Sequence, residues 1–142
     1  MKIVLDTNCL LPAVFSKSVY HWIWEAFRRG DFTLCYSNDI IFEYEELLSK
    51  LYPPEITKNA MLLLLTSHNV ERITPFYNWN LITSDAEDNK FVDCALCTGA
   101  EYIVTNDKHF NVLKNIPFPK IDVIDIITFK QILLHEISPN KN

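Results

Sequence analysis

Acidic residues recur in this chain where an apolar strand should end or a helix begin, and carboxylates in such places can converge to do chemistry. Asp6 closes the run Lys2-Ile3-Val4-Leu5 and is followed by the small polar residues Thr7 and Asn8. Asp107 closes Tyr102-Ile103-Val104-Thr105-Asn106 in the same manner. Between them lie Glu43, Glu45 and Glu46 in one helical stretch, and Asp85, Glu87, Asp88 and Asp93 in another. An acid after a strand is often only a turn former or a helix cap, so no single one carries the argument. Carboxylates from four separate segments, if they met, would repel one another strongly, and a divalent cation would relieve that repulsion. Donors of carboxylate, amide and water suit Mg²⁺ or Mn²⁺, and the chemistry that follows is phosphoryl transfer or phosphodiester hydrolysis by an activated water.

Helical geometry narrows the choice among the acids. At about 100° per residue, Ile40, Ile41, Tyr44, Leu47, Leu48 and Leu51 define a buried arc. Glu43 and Glu45 border that arc on opposite sides, and Glu46 points further toward solvent. Glu43 lies nearer the helix start, where the C-terminal edge of a sheet is expected, and is preferred. Asn89 and Asp93 are four residues apart and share a helical face, with Asp93 in the first or second turn. Lys17, Lys90, Lys108 and His109 fall in segments near the same edge and are candidates to neutralise phosphates, Lys90 and Lys108 first.

Positioning these groups requires a particular order of elements. The opening apolar run, bounded by polar residues, reads as an interior strand of a parallel sheet, covered on both faces. A helix is expected over Ser18 to Arg29 with Gly30 as its stop, a strand over Phe32 to Tyr36, and a helix capped by Ser37 or Asn38 running to about Leu51. Pro53-Pro54 breaks the chain. A third helix, about Glu55 to Ser67, contains Met61-Leu62-Leu63-Leu64-Leu65 and is expected to be deeply buried, before a strand near Val70 to Thr74. The stretch from Pro75 to about Glu87 reads as an irregular loop of functional length. A helix to Thr98 closed by Gly99 leads into the Asp107 strand, followed by a short helix to Leu113, a strand over Ile121 to Ile124, and a last helix capped by Thr128. Alternating strands and helices favour a parallel sheet with helices on both faces, and its ligand crevice lies where strand order reverses. If the two acid-bearing strands are neighbours, Asp6 and Asp107 converge.

Composition sets the outer bounds. With 142 residues, 49% hydrophobic and only 2 Gly, the chain reads as one globular domain, residues 1–137, with a frayed tail at 138–142. The formal net charge of −5 argues against a broad basic face for nucleic acid, though not against a nuclease whose acids are gathered at a metal site. No apolar run reaches the roughly 18 residues of a membrane span, and the chain enters a strand at once; it is expected to be cytoplasmic. Cys94 and Cys97 have the spacing of half a zinc site, but Cys9 and Cys35 are isolated, so the four cysteines are read as buried free thiols.

Taken in order, Val4-Leu5-Asp6-Thr7-Asn8, the Ser37 segment through Glu43-Tyr44-Glu45-Glu46-Leu47-Leu48, Asp88-Asn89-Lys90-Phe91-Val92-Asp93-Cys94-Ala95, and Ala100 through Asp107 resemble the PIN domain, especially its bacterial toxin-like branch. The resemblance covers nearly the whole chain. It implies a three-layer α/β/α sandwich with a five-stranded parallel sheet, and a ribonuclease whose acids bind Mg²⁺ or Mn²⁺. Carried over by motif, the catalytic quartet is Asp6, Glu43, Asp93 and Asp107, with Asp88 a competitor of Asp93 for the third place. Thr7, Asn8, Asn89 and Thr105 would orient the carboxylates. The resemblance further implies an RNA substrate, a small antitoxin partner, and often a homodimer. The alternative is a PIN-like module that binds RNA or protein without turnover. A phosphatase using an aspartyl nucleophile would want a second acid two residues after Asp6, where Asn8 stands.

Overall fold

The architecture, described for residues 1–137 of a computed structural model, is a five-stranded sheet in the order β3-β2-β1-β4-β5, every pair parallel. The strands are β1 (Lys2–Leu5), β2 (Thr33–Ser37), β3 (Val70–Ile73), β4 (Tyr102–Val104) and β5 (Val123–Ile124). Ile3, Val4 and Leu5 are consecutive and all buried; since neighbours on a strand point to opposite faces, helices must cover β1 on both sides. The chain first builds outward from β1 through β2 to β3, then returns to lay β4 against the other side of β1. That reversal makes the C-terminal ends of β1 and β4 the walls of a crevice. The expected tail at 138–142 lies outside the described residues.

The helices are α1 (Thr7–Ala13), α2 (His21–Arg29), α3 (Asn38–Leu51), α4 (Pro54–Thr66), α5 (Asn89–Thr98) and α6 (Ile126–Ile137), with 3₁₀ segments at Ala86–Asp88 and Lys108–Asn115. Ser37 caps α3 through its side chain, which accepts a hydrogen bond from the Ile40 N–H. Gly99 ends α5 at φ 68°, a left-handed geometry that glycine adopts without a Cβ penalty. On one side of the sheet an aromatic group ties α2 to α6: Phe129 packs 5.6 Å from Trp22 and 5.3 Å from Phe32, ring centre to ring centre. α5 crosses β1 to β4, and the buried Tyr44 of α3 donates its hydroxyl to the Leu5 carbonyl. This last bond fixes α3 beneath the residue that precedes Asp6.

Several expectations need correction. The helix expected from Ser18 begins at His21, and α1, directly after Asp6, was not foreseen. α1 is short, contains Pro12, and is carried by burial of Cys9, Leu10, Leu11 and Ala13 rather than by propensity. The last helix is capped not by Thr128 but by Asp125, whose carboxylate accepts from the Thr128 N–H at 2.7 Å. Cys97 is exposed, whereas Cys9, Cys35 and Cys94 are buried free thiols. The leucine run is only partly buried: Leu64 is 0% exposed, but Leu62 is 59% and Leu65 46% exposed. Five consecutive apolar residues on a helix must spread over every face, and α4 has only one face against the protein. Truncation therefore separates the two positions: Leu64→Ala should cost about 2–5 kcal/mol in a urea melt, and Leu62→Ala less than about 0.5 kcal/mol.

Candidate active site

Asp6 leaves β1 at the crevice, 4% exposed, and its backbone N–H donates to the Val104 carbonyl of the adjacent strand. One of its carboxylate oxygens accepts the Thr105 hydroxyl at 2.8 Å, and the Thr105 oxygen in turn accepts the Asp107 N–H at 2.9 Å. One threonine thus aligns the acids that follow both central strands. Burial raises the Asp6 pKa from its ordinary value; the Thr105 and Asn8 hydrogen bonds oppose that shift, and the charges of Asp107 and Glu43 add to it. Asp107 also caps the 3₁₀ segment after β4, accepting the His109 N–H at 2.9 Å.

Glu43 approaches from α3. One of its oxygens accepts the Thr7 hydroxyl, and the other lies 2.9 Å from the Lys90 ammonium. Lys90 also reaches Glu87 at 3.3 Å and is 15% exposed. Burial alone would lower the Lys90 pKa, but hydrogen bonds and charge from Glu43 and Glu87 outweigh it and leave the net shift upward.

The segment preceding α5 divides the remaining acids. Asp88 belongs electrostatically to the crevice: burial first, then the charges of Asp85, Asp107 and Asp6, push its pKa up to about 6. His109 faces it, Nδ1 lying 3.7 Å from Asp88 and 3.3 Å from Asp107. Donor atoms of Asp85, Asp88 and His109 lie within 4.8 Å of one another. Asp93, further along α5, borders the cleft that Glu43 and Lys90 also line. Its carboxylate accepts the Trp79 N–H at 3.0 Å, and burial, opposed by that bond, raises its pKa. Asn89 shares this face as expected, and its side-chain amide pairs with the backbone of Ile82 in both directions, at 2.9 and 2.8 Å. Both residues therefore hold the irregular stretch 74–85 against α5.

The acids sit between clefts. On the Glu43 and Lys90 side a cleft of about 680 Å³ is bordered by Asn38, Phe42, Asn78, Asn80, Glu87 and Asp93. A smaller one of about 270 Å³ opens onto Asp6, Asn8 and Asp107, and a third of about 510 Å³ runs past Thr105 and Asp107 to Lys108, Asn111 and Lys114. Lys17 and Lys108 are exposed. Phe42, Phe76 and Tyr77 are exposed near the largest cleft, and Tyr77 packs edge-on to Trp79 at 4.8 Å. Trp24 is buried, and Trp22 and Trp79 are half-buried. His109 was expected only as a phosphate neighbour; its place beside Asp88 and Asp107, its closeness to Asp85 and the ion pairing of Lys90 were not legible, because they depend on how separate segments meet in the fold.

This arrangement fits a hard divalent cation. Buried carboxylates with raised pKa values are poised to gain from a counter-charge, and Asp88 Oδ2 is buried with no hydrogen-bond partner among the described residues. A carboxyl oxygen placed this way among like charges has an unmet demand for a cation or a proton.

The sequence pattern of the PIN domain family matches residues 2–109. Among solved structures, one chain of VapBC2 from Rickettsia felis, crystallised with a DNA fragment from their promoter, superimposes with a TM-score of 0.61 over 88% of this chain and 98% of that one. Its sequence identity is 20%, so the likeness is one of fold. No curated protein sequence matches.

A carboxyl whose folded pKa lies above its unfolded value binds its proton more tightly in the native state, so it costs stability as pH rises from about 4 through 6. Asp88 is in that position. In metal-free buffer, Asp88→Asn should stabilise the protein at pH 7, and the gain should shrink as pH is lowered from 6 toward 4, read from urea midpoints at each pH.

Proposed function

The chain belongs to the PIN domain family, and on that premise we propose that it is a divalent-metal-dependent ribonuclease, the toxin of a toxin–antitoxin pair. The observation that supports the reading is a chain of contacts at the switch point of the sheet, Asp6 to Asp107 through Thr105 and Asp107 to Asp88 through His109, with Asp88 Oδ2 accepting no hydrogen bond among the described residues. These three acids would hold Mg²⁺ or Mn²⁺. When bound, such an ion supplies Lewis acidity that makes water nucleophilic near neutral pH and offsets charge on a leaving oxygen. Thr105 keeps Asp6 and Asp107 in register, Thr7 and Lys90 orient Glu43, and Asn8 borders the entrance at Asp6. Asp88 takes the third acidic place, and Asp93 with Asn89 serves the loop.

RNA suits the surroundings of this site. Lys108 and Lys114 line one flank, where they can meet phosphates, while the exposed Phe42, Phe76 and Tyr77 offer faces on which unpaired bases stack. The negative overall charge leaves phosphate affinity to local lysines and the bound cation, which favours a short contact over a long tract. The toxin assignment follows the likeness to a chain of the VapBC2 complex, and by the same analogy the partners are a small antitoxin protein and a second copy of this chain. No described helix is long and apolar enough to cross a membrane, and the proposed place of action is the cytoplasm.

The test is cleavage of a mixed RNA pool by the purified protein with Mg²⁺ or Mn²⁺, beside an EDTA control. Asp6→Asn and Asp88→Asn should abolish cleavage, whereas Asp93→Asn should retain much of it. Thr105→Val, which leaves the ligands in place but frees them to turn, should lower activity about 10–100-fold. Equal behaviour of wild type and Asp6→Asn, both folded, would replace the nuclease with a binding module.

A further inference from the structure

Among the described residues that line the largest cleft, Lys90 is the one base, and it is not presented to solvent as a phosphate-binding lysine would be. Its ammonium is 2.9 Å from Glu43 and 3.3 Å from Glu87, and its charge lies 5.6 Å from the centre of the Phe91 ring, with the side chain 15% exposed. Glu43 is thereby fully engaged by the chain itself, one oxygen by Lys90 and the other by Thr7. Asp88 has an oxygen that accepts no hydrogen bond among the described residues, its nearest cationic contact being His109 Nδ1 at 3.7 Å. The acids are thus divided into a side where one ammonium is held between Glu43 and Glu87 and a side where Asp88 and Asp107 face the His109 imidazole.

We propose that Lys90 is a built-in cation that stands at Glu43 in place of a second divalent ion, so that the site takes up one metal ion rather than two. The inference rests on the ribonuclease reading and specifies its metal stoichiometry. An ion approaching Glu43 would have to displace a hydrogen-bonded ammonium and then remain beside its positive charge, which like-charge repulsion opposes. At Asp88 and Asp107 the neighbouring group is the His109 imidazole, which when neutral opposes an incoming cation with no charge of its own. Lys90 is a positioning residue in this scheme: it holds Glu43 in one orientation and supplies a fixed positive charge without the reorganisation that binding a free ion entails.

The experiment is a titration of the metal-free protein with Mn²⁺ at neutral pH, counting bound ions by electron paramagnetic resonance, for wild type, Lys90→Met and Lys90→Arg. Circular dichroism confirms that each is folded. Wild type should bind one Mn²⁺ per chain, Lys90→Met two, and Lys90→Arg one. Two ions in wild type, or one in folded Lys90→Met, overturn the proposal while leaving a metal-dependent nuclease intact; none in wild type overturns that reading as well. Glu43→Gln, which keeps side-chain volume and serves if Lys90→Met does not fold, should leave wild-type Mn²⁺ affinity within about threefold. A loss of roughly tenfold or more, the scale expected when a group that holds the metal is disturbed, makes Glu43 a ligand and overturns the proposal.

Discussion

Mutual repulsion among buried carboxylates is the constraint on which the rest of the structure turns. Asp6 is nearly inaccessible to water, Asp88 has its charge penalised by burial and by three neighbouring acids, and Asp107 and Glu43 both act on Asp6. A chain selected for stability alone would not gather them, because each unpaired buried charge weakens the native state. The fold tolerates the cluster by surrounding it with donors. Thr105 serves two acids, Thr7 and Lys90 serve Glu43, and backbone amides serve Asp6 and Asp107. Ile3 to Leu5, Ile103 and Val104, on the two strands carrying these groups, are all buried.

The start of α5 extends the same economy to an irregular part of the chain. A stretch as long as 74–85 with no ladder or helix must find partners for its backbone groups. Asn89 satisfies both the N–H and the carbonyl of Ile82, and Asp93 accepts from Trp79. Asp88 is the residue immediately before Asn89, so one helical turn sets both the acid facing His109 and Asp107 and the anchor of the loop that borders the cleft beside Glu43 and Lys90. A change in the loop's seating would be felt at the site through this turn rather than through direct contact.

Much of this was legible in the sequence because it is encoded locally. The apolar runs ending at Asp6 and Asp107, the Ser37 cap, the Gly99 stop and the long loop all announce themselves through residue type at fixed spacing. A parallel sheet followed from the alternation of strands and helices, whereas the adjacency of β1 and β4, on which the convergence of Asp6 with Asp107 was conditional, is a fact of the tertiary structure. The features that escaped depend on tertiary context. α1 has weak helical signals and forms because its apolar residues are buried. The five-residue apolar run of α4 carries no periodicity from which its buried face could be read. A helical wheel correctly put Asn89 and Asp93 on one face, but it could not tell that this face meets the loop backbone while Asp88, in the 3₁₀ turn, meets the acids.

The bond between Thr105 and Asp6 joins residues 99 positions apart. It follows that the acidic centre has an order of assembly. Until β4 has been made and laid beside β1, Asp6 has neither its aligning hydroxyl nor Asp107 at its side, so parallel pairing of the first strand with the fourth is the step that completes the centre.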